Sequence, residues 1–313
     1  MVTYIARRIG AGLAILFVIA ALGFVMLSIN TDAVVRGILG PQASEEQAAA
    51  LKADLGLDQS LPVQFIQWLG GVFRGDLGRS WFTNQDVNEL IGLRLPISLS
   101  IVIVVLLVTL VVAVLLGLGS AYFGGWFDRA TQILCILGFA IPGFLLALIL
   151  VTVFGVYLGW APVVGFTPIT DSLPGWMRSV TLPTIALASH SVGAVAQQVR
   201  NAAFGVLNMD YVRTLRSRGI PEWRLVLVNV LRNSTVSGIT VLGLQAVGLL
   251  GAVVLVDKIF AIPGIGEMTI NYTVRGDRPA IMGLILVLTV LVIVINLLVD
   301  VFVSVLNPKV RTR

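Results

Sequence analysis

Residues 96–125 read PISLSIVIVVLLVTLVVAVLLGLGSAYFGG, thirty in a row without a charged side chain. A helix rises about 1.5 Å per residue, and roughly 20 apolar residues cross the ~30 Å hydrocarbon core of a bilayer. This stretch can cross once with length to spare. Outward from it lie five more uncharged runs, at 9–30, 130–170, 179–199, 233–256 and 279–299. The chain as a whole is 57% hydrophobic and 12% charged, where about a quarter of a soluble domain is charged. The runs predict an all-α integral membrane protein with six transmembrane helices.

The run 130–170 is longer than one crossing needs and contains Pro142-Gly143 and then GWAPVVGFTPITDSLPGW, so its helix is expected to end near Gly159. The first run follows Arg7-Arg8, exceeds the 7–15 apolar residues of a signal peptide and has no A-x-A-like site after it; it reads as a retained helix. Lys/Arg bias sets the orientation. With the amino terminus inside, 12 of the 21 Lys and Arg fall on short cytoplasmic segments, and 12 of the 16 acids fall outside. Both termini are then cytoplasmic. The basic balance reflects topology and predicts no nucleic-acid binding.

Residues 31–95 form the sizeable external insertion. Ser44-Glu45-Glu46-Gln47 has the S-x-x-Q form of a capping box, so a short helix should start there and stop at Gly56. Pro62 suits the first turn of a second helix, VQFIQWLGGVF, weakened at its end by Gly70-Gly71. Such small helices cannot bury a core of their own and should pack on the spans. The insertion is either a passive cap or a docking surface for an external partner.

A different signal lies at 209–234, MDYVRTLRSRGIPEWRLVLVNVLRNS. Val212, Leu215 and Tyr211 fall on one side of a short helix, with Arg213, Arg216 and Arg218 on the other. Gly219 suits a left-handed helix end and Pro221 the first turn of the next helix. Trp223 anchors the interface before LVLVNVL climbs toward the fifth span. The segment is either an interfacial helix whose arginines meet anionic lipid, or a knuckle that fits a socket on a cytoplasmic protein.

Several chemistries are missing. There is no G-x-x-x-x-G-K-[ST] phosphate cradle, no H-E-x-x-H and no G-x-S-x-G. A single Cys135 allows no disulfide within the chain, and nothing predicts a metal site. His190 is the one mid-span ionisable residue, and without an acid partner it is a poor proton relay. The alternative is an imidazole bonded to a neighbouring helix carbonyl. Energy for uphill movement would have to come from another chain. His190, Ala194, Gln197 and Asn201 recur at helical spacing in the fourth span. Ser234, Gly238, Gln245, Gly248 and Ala252 do so in the fifth. Such stripes mark tight helix packing, a lined pathway, or both.

The chain resembles the peptide/nickel branch of bacterial ABC importer permeases, the DppB/OppB type, from the ARR at Ala6 onward. The resemblance rests on LGLDQSLPVQFIQWLGGVFRGDLGRSW (55–81), RLPISLS (94–100), DYVRTLRSRG (210–219), IFAIPGIG (259–266) and the tail NPKVR (307–311). It implies a type I ABC importer permease architecture: residues 1–30 as amino terminus and first helix, 31–95 as a small helical extracytoplasmic insertion, and 96–313 as a five-helix core with a coupling loop at 200–232. By this resemblance Asp210, Tyr211, Arg213, Thr214, Leu215, Arg216, Arg218, Gly219 and Pro221 form the loop that docks on an ATPase subunit. The wider family carries E-A-A-x-x-x-G there; here Arg213, Thr214 and Leu215 precede Gly219, so no contact built on that glutamate carries over. Gly276-Asp277-Arg278-Pro279 replaces R-D-Y-P, and Asn307-Pro308-Lys309 replaces D-P-R.

The implied function is a permease subunit, not an enzyme, of an importer for di- and oligopeptides in a bacterial cytoplasmic membrane. The implied partners are a second homologous permease (DppC/OppC type), two ATPase subunits or domains that bind ATP and Mg, a substrate-binding lipoprotein outside, and lipid. This chain itself would hold no cofactor. His190, Gln197, Asn201 and Gln245 would line the pathway. Asp257, Phe260, Pro263, Gly264 and Gly266 are expected in an irregular segment on the outer face that receives the lipoprotein. The rival substrates are nickel chelates, glutathione or another small solute; the rival class is a passive channel or scaffold.

Overall fold

The structure is a computed structural model that describes residues 2–29, 31–160, 162 and 164–306, with side chains from 6 to 302. The NPKVR tail, with Lys309, Arg311 and Arg313, lies outside the described residues. The helices run in the order α1 (Val2–Leu27), α2 (Thr31–Leu39), α3 (Glu45–Asp54), α4 (Leu61–Phe73), α5 (Val87–Phe123), α6 (Gly125–Ala140) and α7 (Gly143–Leu150). They continue with α8 (Leu173–Leu207), α9 (Asp210–Ser217), α10 (Glu222–Arg224), α11 (Leu231–Ile259), α12 (Ile265–Arg275) and α13 (Arg278–Leu306). Wider π-type turns extend α7 over Val151–Tyr157 and join α10 to α11 over Leu225–Val230.

Among the described residues, five stretches are long and apolar enough to cross a membrane: Ala6–Leu27, Val87–Phe123, Leu173–Leu207, Glu222–Ile259 and Arg278–Phe302. The expected third span is not one rod. It breaks into Gly125–Ala140 and Gly143–Tyr157, bent by 96°. The cause is local: the ring of Pro142 excludes the helical conformation from the residue before it, and Ile141 is extended at φ −93°, ψ 116°.

Two compact units account for the packing. The first comprises residues 1–98 and 263–294. Here Ser44 and Gln47 form the reciprocal capping box that starts α3. Lys52 pairs with Asp32 at 2.7 Å and Arg36 with Glu45 at 3.0 Å, holding α3 to α2. Beneath them Val87, Ile91, Met268, Tyr272 and Leu284 close an apolar core. Residues 260–264, with Pro263 and Gly264, form the irregular break expected between α11 and α12, but Asp257 still lies within α11. Gly264 is the extended residue before α12, and Gly266 lies within its first turn.

The second unit comprises 99–262 and 295–313, and α8 is its centre. Its mean hydropathy is only 1.3, against 2.4 or more in the other four long spans, yet 67% of that window is buried where the others reach at most 33%. Small residues explain how. A Cβ on Gly138 of α6 would come within 2.6 Å of the Ser189 carbonyl, and one on Gly238 of α11 within 2.6 Å of Val199. Backbones this close gain dispersion contacts in place of a hydrophobic drive that lipid does not supply.

Candidate coupling corner and polar face

The corner after α8 is built from its buried side outward. Val212 of α9 is fully buried against Ala203 and Val206 of α8 and against Leu225 and Val230 of the turn leading into α11. One methyl-rich contact thus joins α8, α9 and the approach to α11. The chain then reverses at Gly219, whose φ of 77° is left-handed. Its N–H donates to the Arg216 carbonyl at 2.9 Å, and the Ile220 N–H donates to the Leu215 carbonyl. Pro221, at φ −64°, ψ 138°, is the extended residue just before α10 rather than part of its first turn.

A residue the sequence reading passed over completes the corner. Glu222 accepts from Arg216 Nε at 2.7 Å and from its terminal nitrogen at 3.4 Å, bridging α9 to α10 across Gly219. That hydrogen bond holds the Arg216 guanidinium above its ordinary pKa. An acid in the first turn after Pro221 was the available signal, since negative charge favours a helix amino terminus. Arg216 is therefore engaged within the chain, while Arg213, Thr214, Arg218, Trp223 and Arg224 are exposed. Asp210 lies 3.7 Å from Arg213, and Tyr211 is half exposed with its hydroxyl 3.4 Å from Asn233. A cleft of about 490 Å³ sits beside the corner, lined by Tyr122, Phe123, Phe204, Asn208, Arg216 and Glu222.

A second ion pair, also unread in the sequence, ties α6 to α8. Asp128 accepts from Arg200 Nε at 2.5 Å and from its terminal nitrogen at 2.7 Å, and also from Ser120 of α5 and Gln132. Arg200 reaches the Asn201 side chain at 3.3 Å, and Gln197 reaches it at 3.4 Å. Gln197 and Asn201 thus form one polar face with an anchored arginine behind it. His190, exposed further along α8, stands edge-on to Phe139 with ring centres 4.9 Å apart, rather than bonding a carbonyl. The α11 stripe divides. Ser234 and Gly238 are buried against neighbours, Gln245 is half buried, and Gly248 and Ala252 are exposed.

The five outer residues do not form one exposed patch. Asp257 and Phe260 are buried at the end of α11, where the Asp257 carbonyl accepts from Ile262 and that of Phe260 from Gly165. Gly264 and Gly266 are buried and Pro263 is exposed. Four of the five are thus buried within the chain, and Pro263 alone of them is exposed.

A many-span helical chain with a packed corner between two of its long helices narrows the class to integral membrane proteins, and comparison with known proteins supplies the family. The family described as binding-protein-dependent transport system inner membrane component matches residues 113–312, and the description of its N-terminal part matches 1–102. The chain belongs to this family. It is 35% identical over 312 residues, 99% of each chain, to a protein of Brucella abortus provisionally named a peptide transport system permease. A similarly named peptide ABC transporter permease of Sinorhizobium fredii is 31% identical over 99% of this chain and 100% of its own. The glutathione transport system permease protein GsiC of Salmonella choleraesuis is 32% identical over the full length of both. Among solved structures, the inward-facing MetNI methionine ABC transporter matches with a TM-score of 0.52 at 18% identity, covering 71% of this chain and 94% of that one. That likeness speaks to the fold alone.

Proposed function

We propose that this chain forms half of the translocation pathway of an ATP-driven importer of short peptides in the bacterial cytoplasmic membrane, with both termini in the cytoplasm. The observation that carries the reading is the corner at 209–225. It is seated from behind by Val212 and Leu225, stapled by Arg216 and Glu222, and leaves Arg213, Thr214 and Arg218 exposed. A segment this firmly joined to α8 and to the path into α11 moves with them. An ATPase that grips its exposed face would tilt both helices. Driving a two-state pore from about 1:99 to 99:1 takes roughly 5.5 kcal/mol of differential binding, and a rigid lever delivers it with little loss.

In this reading a second homologous permease completes the pathway, and two ATPase subunits bind ATP and Mg below. A lipoprotein delivers substrate above, to the surface shaped by the insertion and the 257–266 segment. His190, Gln197, Asn201 and Gln245 offer weakly polar walls that suit a cargo of varied sequence. Peptide cargo is favoured by the names of two full-length relatives, and the glutathione permease among them extends the class to that small peptide. Reconstitution with the neighbouring ATPases and binding protein tests this. Uptake of labelled di- to pentapeptides should require both ATP and the binding protein; uptake that proceeds equally without ATP contradicts it.

A further inference from the structure

Helix α4 sits inside the insertion yet lacks the character of a water-exposed helix. No charge occurs between Asp58 and Arg74, although charges are frequent on both sides. One face is packed on α1. Phe65 lies 5.9 Å from Phe17 and 5.3 Å from Phe24 between ring centres, and Trp68 lies 6.3 Å from Phe24. Ala20 and Phe24 are buried beneath these rings together with Met282.

The register of that contact fixes a depth. Phe24 and Phe17 stand three and ten residues before Leu27, the outer end of the first span. At about 1.5 Å per residue they lie roughly 5 and 15 Å below that end. Half of a hydrocarbon core is about 15 Å. Phe65, which touches both, is held at the level of outer-leaflet acyl chains.

Away from that contact α4 is apolar and bare: Val63, Ile66 and Phe73 are exposed, Ile66 by 66% and Phe73 by 83%. It adjoins the exposed apolar surface of α1, where Leu13, Leu22 and Val25 also lack cover. A protein interface of this kind would carry a polar rim; this face offers only Gln67. Several backbone groups at the helix ends find partners within the chain, as a setting poor in water favours. Pro62 has no N–H, and Val63 and Gln64 donate to the Ser60 carbonyl. The Gln64 amide turns back to the Gln59 carbonyl at 2.7 Å. At the other end Arg74 and Asp76 donate to Gly71, and Gly75 to Val72.

We propose that α4 is embedded in the outer leaflet beside α1, with the Val63–Ile66–Phe73 face in contact with lipid acyl chains. The insertion is then partly intramembrane, and only the α2–α3 pair and the loop after α4 stand in water. The inference does not depend on the cargo or on the coupling corner.

The test uses the full-length chain with the subunits that co-purify, in nanodiscs, carrying Cys135→Ser. Single cysteines from Ile66→Cys, Phe73→Cys and, as the aqueous reference, Asp54→Cys are labelled with bimane. Each is challenged with lipid brominated along its acyl chains and with aqueous iodide. The Ile66 label should lose fluorescence in brominated lipid and ignore iodide, with the Phe73 label next and the Asp54 label the reverse. Iodide quenching at Ile66 equal to that at Asp54 would place α4 in water and overturn the proposal. Insensitivity of the Ile66 label to both quenchers would show a protein partner covering the face, and would overturn it as well.

Discussion

Two corners of this chain use the same device and put it to opposite use. Gly219 and Gly276 both end a short helix in the left-handed region, at φ 77° and 72°, and each is followed within three residues by charge and proline. The residues that follow Gly276 are enclosed, although Thr273, Val274 and Arg275 before it are exposed. A Cβ there would come within 2.8 Å of Val34. Asp277 is fully buried, accepting from Ser80 Oγ at 2.5 Å, Ala280 N at 3.3 Å and Phe82 N at 3.4 Å. Arg278 lies between the rings of Phe24 and Trp81, at 4.7 and 4.9 Å, and donates to Ser28. Around Gly219 nothing stands within 4 Å of a Cβ, and the bridging pair is about 40% exposed on each side. The enclosed corner is a fastening between α12, α13 and the loop at 80–82. The open one is fastened only from behind, which is what a surface meant for another chain requires.

The contrast can be broken by substitution. Asp277→Ala should have the largest effect on stability, since it strands the Ser80 hydroxyl and two N–H groups inside the fold. About 3 kcal/mol is expected at 1–3 kcal/mol per stranded group, with some relaxation. Thermal unfolding followed by size-exclusion fluorescence in detergent would register it, and a melting temperature equal to the parent's would mean the corner is not fastened there. Gly276→Ala should come next, losing about 2 kcal/mol from left-handed strain and the Val34 contact together.

Effects at the open corner should be smaller in stability. Glu222→Gln is expected to cost at most about 1 kcal/mol, because a pair this exposed is well screened. Arg216→Glu places two acids together, and adding Glu222→Arg should restore whatever was lost. Failure of the swap to restore uptake, with stability recovered, would show that Arg216 also touches a partner. The smallest effect belongs to α2 and α3. The hydrogen bond from Lys52 holds the Asp32 carboxyl below its ordinary value of 3.8. Their contact is then present above about pH 4 and is lost as pH falls through that lowered value. Hydrogen exchange at 31–54, corrected for its intrinsic pH dependence, should rise only in strong acid, and Asp32→Asn should remove the rise.

Local chemistry made much of this readable in advance. The Ser44–Gln47 box, the Gly219 reversal and the uncharged runs each depend on residues adjacent in the chain. The bend at Pro142 was half readable: the proline marks a break, but its spacing in the sequence does not give the 96° angle. The irregular break at Pro263-Gly264 was readable too, but not that it is confined to residues 260–264 before α12 begins. What no local rule could supply were pairs made by folding. Asp277 meets Ser80 across 197 residues, Asp128 meets Arg200 across 72, and Glu222 meets Arg216 only because the corner turns as it does. Four of the five outer residues are buried for the same reason, since exposure is a property of the packed chain.

Gly219→Val tests the central claim most directly. With open space around the site, the substitution brings only the left-handed strain, about 1–2 kcal/mol, so the spans should insert and the protein should remain monodisperse. ATP-driven peptide uptake and co-purification of the ATPase, measured on the same preparations, should both fall well below the parent's. Full uptake with full ATPase association would contradict the coupling role of the corner.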